Sequence, residues 1–238
     1  MKVLAVLICI VTGCLAQTTQ SEGREFKALG SARLEATADR IAVYFMGREY
    51  RVDLSRLPLS AKDCPEQETN QKCATHPGTR CLDGITEWSP IAWDEPRRLF
   101  YMAASTNIGK NRPWVIFAYD LRSSLIKRIG TNEGGGFGSG AVSASGRYLA
   151  YIGYNVCGVC CTTSQVVLID VQSGVSGQYQ PLTADEDERP RILALRWVGP
   201  STIEVEAQIL RESACRAGQD PGKSSTASVK VNEILRNR

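Results

Sequence analysis

Cys157-Gly158-Val159-Cys160-Cys161 is the densest reactive cluster in the chain. Two thiolates at Cys-x-x-Cys spacing grip zinc, form a redox pair with one depressed pKa, or close structural bridges. Zinc would need two further ligands, for which Cys81 and His76 are the candidates. A redox centre would need a helix N-terminus beneath its first cysteine, and this segment reads as a connection between strands. Structural bridging is the preferred reading for Cys64, Cys73, Cys81, Cys157, Cys160, Cys161 and Cys215. The 157–161 cluster is expected to reach Cys215, with other bonds inside the 64–81 segment. Seven is odd, so one thiol is free or pairs between chains. No metal site and no cofactor is assigned.

The other chemistry-bearing residues have structural readings. His76 is the only histidine. It lies in a polar stretch without a Gly-x-Ser-x-Gly elbow or an orienting carboxylate, so Ser-His catalysis is not assigned. Asp53, Asp120 and Asp170 each close a strand and precede a polar turn, where a carboxylate accepts hydrogen bonds from the next backbone N–H groups. Gly134 to Gly140 is glycine-rich, but no Gly-Lys-Ser/Thr and no helix follows, so it reads as a connection rather than a phosphate cradle. Asp185-Glu186-Asp187-Glu188 lacks the alternating ligand spacing of a calcium loop. Glu87 and Asp94 are the pair that a glycan-cleaving site would use. Arg97, Arg98, Lys110 and Arg112, with Trp114 nearby, form a modest basic patch that suits an acidic protein or a glycan.

The chain has 238 residues, 43% of them hydrophobic and 22% charged, with a formal net charge of +3. That composition excludes wholesale disorder, and the small scattered charge excludes a nucleic-acid polyanion site. The length suits one medium domain or two small ones. Residues 1–16 read as a secretory leader: Lys2, an apolar run from Val3 to Val11, then small residues. Two processing routes are open. Val11-Thr12-Gly13-Cys14 is a lipobox-like run that would lipidate Cys14; cleavage after Ala16 would release an unlipidated protein. No run approaches the ~20 apolar residues of a membrane-spanning helix. The protein is expected to be exported, as a periplasmic, envelope-anchored or secreted protein.

The elements that must position these residues repeat. Arg98-Leu99-Phe100-Tyr101-Met102 matches Tyr148-Leu149-Ala150-Tyr151-Ile152, and Val115–Leu121 matches Val166–Val171, at an offset of 50 residues in both cases. The segments are short, β-branched and aromatic, and bounded by turn residues, so they are strands. Weaker copies lie at Arg40–Leu54 and Trp197–Asn232, with Asp53 and Asn232 in the position of Asp120. Four short strands per repeat of roughly 50 residues is the unit of a propeller blade. The expected fold is all-β: a small array of about four antiparallel blade-like units, stapled by disulfides. Residues 17–26 form a linker and 27–238 one domain, with a Cys-rich insertion at 60–84.

Ala141-Val142-Ser143-Ala144-Ser145-Gly146-Arg147-Tyr148-Leu149-Ala150-Tyr151 resembles the WD-repeat-like unit of TolB-type β-propellers, with Ser145 where the family usually carries Asp. Trp88-Ser89-Pro90 and Trp93–Leu99 echo the same run. The resemblance implies an envelope setting and a protein partner, docked through inter-strand connections. Trp114, Arg97, Arg98 and Arg112 are the candidate partner contacts. The expected function is a non-enzymatic binding module; the alternative is a secreted carbohydrate-active hydrolase or an enzyme accessory domain.

Overall fold

The computed structural model of the protein describes residues 26–36, 40–59, 87–105, 113–133, 136–157, 161–185, 187–211, 213 and 224–236. The leader with Cys14, and Cys64, Cys73, Cys81, His76, Lys110, Arg112, Cys160 and Cys215, lie outside the described residues.

The described residues form fifteen strands in four antiparallel sheets; β14 alternates buried and partly exposed residues, whereas strands of the second and third sheets, such as Leu99–Ser105, are buried on both faces. The first holds β1 (Phe26–Leu29), β2 (Ala32–Ala36), β3 (Ile41–Phe45) and β4 (Arg48–Val52). The second holds β5 (Glu87–Asp94), β6 (Leu99–Ser105), β7 (Pro113–Asp120) and β8 (Leu125–Glu133). The third holds β9 (Gly136–Val142), β10 (Tyr148–Cys157), β11 (Cys161–Asp170) and β12 (Ser176–Tyr179). The fourth has only three strands, β13 (Glu188–Gly199), β14 (Thr202–Arg211) and β15 (Ser224–Lys230). A short helix, α1 (Val231–Arg236), follows and packs against β12 and β15. There the chain passes so close that a Cβ on Gly177 would lie 2.2 Å from the Ile234 carbonyl oxygen.

Each sheet is a meander in strand order, and the leading strands pack in series: β1 on β5, β5 on β9, β9 on β13. This is propeller-like packing, with apolar faces meeting between successive sheets. Three cores result. Leu34, Val43, Phe100 and Phe117 fill the first; Tyr101, Ile116, Leu149 and Ile169 the second; Ile152, Leu168, Ile203 and Val205 the third. The two outward faces carry Arg33, Glu35, Tyr44, Glu49 and Arg51 on the first sheet and Arg191, Arg196, Glu204 and Glu206 on the fourth; Glu35 is nevertheless buried, and Leu193 and Val198 of β13 are exposed.

The repeat differs from its sequence alignment by one residue. Phe100 pairs with Tyr119, whereas Leu149 pairs with Ile169. Phe100, rather than Leu99, is therefore the counterpart of Leu149, and both are fully buried. The difference is absorbed in the hairpin: Ser105 pairs with Trp114 and Tyr154 with Ser164, so the stretch between these equivalent pairs is one residue longer in the third unit. At the far end, Val231 N–H donates to Ser201 O as Leu121 does to Arg98 O and Val171 to Arg147 O. Lys230, not Asn232, thus occupies the position of Asp120 and Asp170.

Candidate functional site: the loop edge

In every sheet the odd-numbered strands run toward one edge and the even-numbered strands run back. Connections after odd strands are tight: residues 30–31, 46–47, 95–98, 121–124, 143–147, 171–175 and 200–201. Those after even strands are 37–40, 53–86, 106–112, 134–135, 158–160, 180–187 and 212–223, and they include every long one. The chain therefore has a turn edge and a loop edge. Alternation does this unaided, because a meander places consecutive connections on opposite edges. In chain order Cys64, Cys73, Cys81, Cys160, Cys215 and His76 fall between strand ends that lie on the loop edge, though they themselves are outside the described residues; Cys157 and Cys161 end strands there.

The turn edge is closed by hydrogen bonds. Asp120 accepts from Arg122 N–H at 2.8 Å and Ser123 Oγ at 2.8 Å. Asp170 accepts from Gln172 and Ser173 N–H and pairs with Arg147 at 2.9 Å. Burial pushes the Asp170 carboxyl up, but the Arg147 guanidinium and the two N–H groups outweigh it and hold the group below the usual carboxylate range. Asp53 differs from these two: it follows the fourth strand of its sheet, on the loop edge, and caps the 3-10 turn Leu54–Arg56 through Ser55 N–H at 3.1 Å. Neighbouring sheets are tied as well. Arg97 pairs with Asp94 and donates to Ala144 O at 2.7 Å; Lys127 donates to Val171 O at 3.4 Å. Trp93 and Trp197, at equivalent positions opposite Phe100 and Ile203, each reach the preceding sheet, at Ser31 Oγ and Ala141 O.

Several expected contacts are separated by this geometry. Trp114 is 2% exposed and stands edge-on to Phe137, at 5.0 Å between centroids, inside the second core. It is a packing residue, not a contact surface. Arg97 and Arg98 lie at the turn edge, whereas Trp114 begins β7 at the loop edge, so the basic patch is divided by the length of β6. Glu87 and Asp94 are the two ends of β5, roughly 20 Å apart at the usual strand rise. A glycosidase pair needs about 5–9.5 Å, so these two carboxylates cannot share one bond. Asp94 is in any case 5% exposed and engaged by Arg97.

The acidic run also has partners. Asp187 accepts from Ser213 N–H and Oγ, Asp185 from Asp187 N–H, and Glu188 from Ala184 N–H. The Ser213 hydroxyl above all holds the Asp187 carboxyl below its ordinary range. Among the described residues no group of three or more potential ligands could hold a metal ion. Burial raises the Tyr101 hydroxyl to about 12 and Tyr151 higher still, so neither is an ionised nucleophile at neutral pH.

Two features of the loop edge are absent from the sequence reading. An open cavity of about 570 Å³ lies between the third and fourth sheets, lined by Thr163, Gln180–Thr183 and Glu188–Pro190. At its rim Leu182 is 97% exposed. The Pro181-Leu182 pair in a polar connection was the available signal. Deeper in the second interface, Ser105, Asn132 and Gln165 are buried polar residues, and Ser105 Oγ has no hydrogen-bond partner among the described residues.

No protein-family profile matches the chain, and no curated protein does. Solved structures do. One, from a nidogen/laminin complex, matches at 10% identity over 82% of this chain and 59% of that one, with a TM-score of 0.41. A puromycin-hydrolysing peptidase of Mycobacterium tuberculosis matches at 15% identity, covering 86% of this chain and 30% of the peptidase, with a TM-score of 0.44. The tricorn protease matches at 13% identity, covering 86% and 21%, with a TM-score of 0.40. The chain spans less than two thirds of the length of each. The propeller-like assignment rests on the sheet topology above.

Proposed function

We propose that this chain is an exported, non-enzymatic protein-binding module of TolB-like propeller type, which docks a protein partner through the connections on its loop edge. The observation that carries the reading is the segregation of long connections to one edge, against tight, hydrogen-bonded turns on the other. Rigid strands that present variable connections along one side are a common basis for recognition. The leader supports export, either with lipid on Cys14 or as a soluble mature form. Leu182 and the adjoining cavity are the described part of the contact surface.

Lysine placement supplies the test. Lys62, Lys72, Lys110 and Lys223 fall in chain order between strand ends on the loop edge, whereas Lys127 and Lys230 lie at the turn edge. Amine cross-linking of the mature protein in its own envelope or secreted fraction should join a single partner through the first group. Cross-links to a stoichiometric partner through Lys127 or Lys230 would refute the loop-edge reading. Substrate turnover by the purified chain would refute the non-enzymatic one.

A further inference from the structure

We propose that Cys157 and Cys161 form a disulfide across the β10–β11 hairpin, at the last pair before its connection. The backbone register carries this. Cys157 is directly opposite Cys161 in an unbroken run of pairs from Tyr148 and Asp170 onward. Directly opposed residues on antiparallel strands have Cα atoms about 4.5–5.5 Å apart, inside the 4.4–6.8 Å range of disulfides. The neighbouring choice, Cys160 with Cys161, joins adjacent residues whose Cα atoms are only about 3.8 Å apart, below that range.

The hairpin end also needs closing. The last pair between β10 and β9 is Tyr154 with Gly136, and the last between β11 and β12 is Val166 with Tyr179. Beyond them, the pairs Asn155–Thr163, Val156–Thr162 and Cys157–Cys161 have no hydrogen-bonded flanking strand among the described residues, although Thr163 is buried and lines the cavity with Glu188–Pro190. A hairpin end that lacks ladder partners on both sides is the part of a sheet most prone to open. A bond at its final pair fixes the register there. Cys157 and Cys161 are then not the partners of Cys215 that the sequence suggested.

Its formation removes one hydrogen from each thiol. The two electrons and two protons pass to an external disulfide oxidant, which leaves as two thiols. The export reading enters only here, as the reason such an oxidant is met; the register argument is independent of partner docking.

The test is disulfide mapping of the full mature chain. Free thiols are blocked with N-ethylmaleimide at low pH, and the chain is digested with trypsin without reductant. The peptide Tyr148–Arg191 holds Cys157, Cys160 and Cys161, because Arg189 precedes Pro190. Fragmentation should show Cys157 linked to Cys161, with Cys160 blocked or linked elsewhere. Alkylated Cys157 or Cys161, or a link from either to Cys160 or Cys215, overturns the proposal. A second readout is amide exchange over residues 155–163. The C157S/C161S double variant should exchange there roughly 30-fold faster, the effect of opening a loop of about five residues, while C160S stays at wild-type rates. Equal acceleration in C160S would also overturn it. A mapped bond in a protein that docks nothing would sink the docking reading and leave this one standing.

Discussion

The two edges of this molecule are built from the same strands and differ in what their connections do. At the turn edge nearly every polar group is committed: Asp170 to Arg147 and two N–H groups, Asp120 to its own turn, Arg97 to Asp94 and across to the next sheet. At the loop edge Asp185, Asp187 and Glu188 are hydrogen-bonded too, but Leu182 is almost wholly exposed and a cavity opens between sheets. The described part of this edge therefore differs from the turn edge in exposed apolar surface and open space rather than in spare polar groups. Hydrogen bonds that fix a short turn use up the groups with which a surface could contact anything else; an exposed leucine beside a cavity is what the docking proposal uses.

The comparison can be broken most forcibly through the cores that both edges share. Leu149→Ala removes a fully buried side chain from the second interface and should cost about 3–4 kcal/mol in chemical denaturation. A loss under about 1 kcal/mol would mean the sheets are not packed as described. Next comes the turn edge itself. Gly146 has φ +75°, and a Cβ there would lie 2.3 Å from Arg97 Nε. Gly146→Ala should therefore cost about 2 kcal/mol. Gly174→Ala is the control: φ is +72°, but its nearest neighbour is 3.5 Å away, so about 1 kcal/mol is expected. Equal losses at the two glycines would show that Arg97 does not hold the second and third sheets together.

A smaller effect is expected at Arg147, whose side chain is half exposed. Arg147→Met should lower stability at neutral pH by less than either glycine substitution, because solvent screens the exposed guanidinium. Its pH dependence has a defined sign. The folded Asp170 carboxyl titrates below its unfolded value of about 3.9, so its contribution is present above that pH and is lost as pH falls through the folded value. Without Arg147 the folded value rises, and the acid-unfolding midpoint should move to higher pH. An unchanged midpoint would remove the ion pair from the account. The smallest stability effect belongs to the loop edge. Leu182→Ser should stay within about 0.5 kcal/mol of wild type yet weaken partner capture, whereas Arg122→Ala at the turn edge should leave capture intact.

The duplicated strands were legible because their periodicity reflects burial: the alternation that keeps Val115 and Phe117 in one core and Ile116 in the next is written directly in residue type. The one-residue slip at Phe100 was not legible, since Leu99 and Phe100 are both apolar and only the pairing partners distinguish them. Asp53 was grouped with Asp120 and Asp170 by its strand-end position, but it ends a fourth strand rather than a third, and no local signal records that. Trp114 failed for a different reason. Sequence neighbours such as Arg112 suggest a surface, while the alternation of β7 sends the indole into the core. Arg97 and Trp114, close in sequence, stand at opposite edges because β6 lies between them. The C-terminal helix is too short for helical periodicity to stand out. The loop edge itself is a property of connectivity, visible only once strands are ordered and counted.

Differential amide exchange of the mature protein, free and bound to its captured partner, tests the division of labour most directly. Protection on binding should appear at Glu87–Ser89 and Gln180–Pro190, with no change at residues 95–98, 121–124, 143–147 and 171–175. Protection confined to those turns, with the loop-edge segments exchanging as in the free protein, would contradict the account.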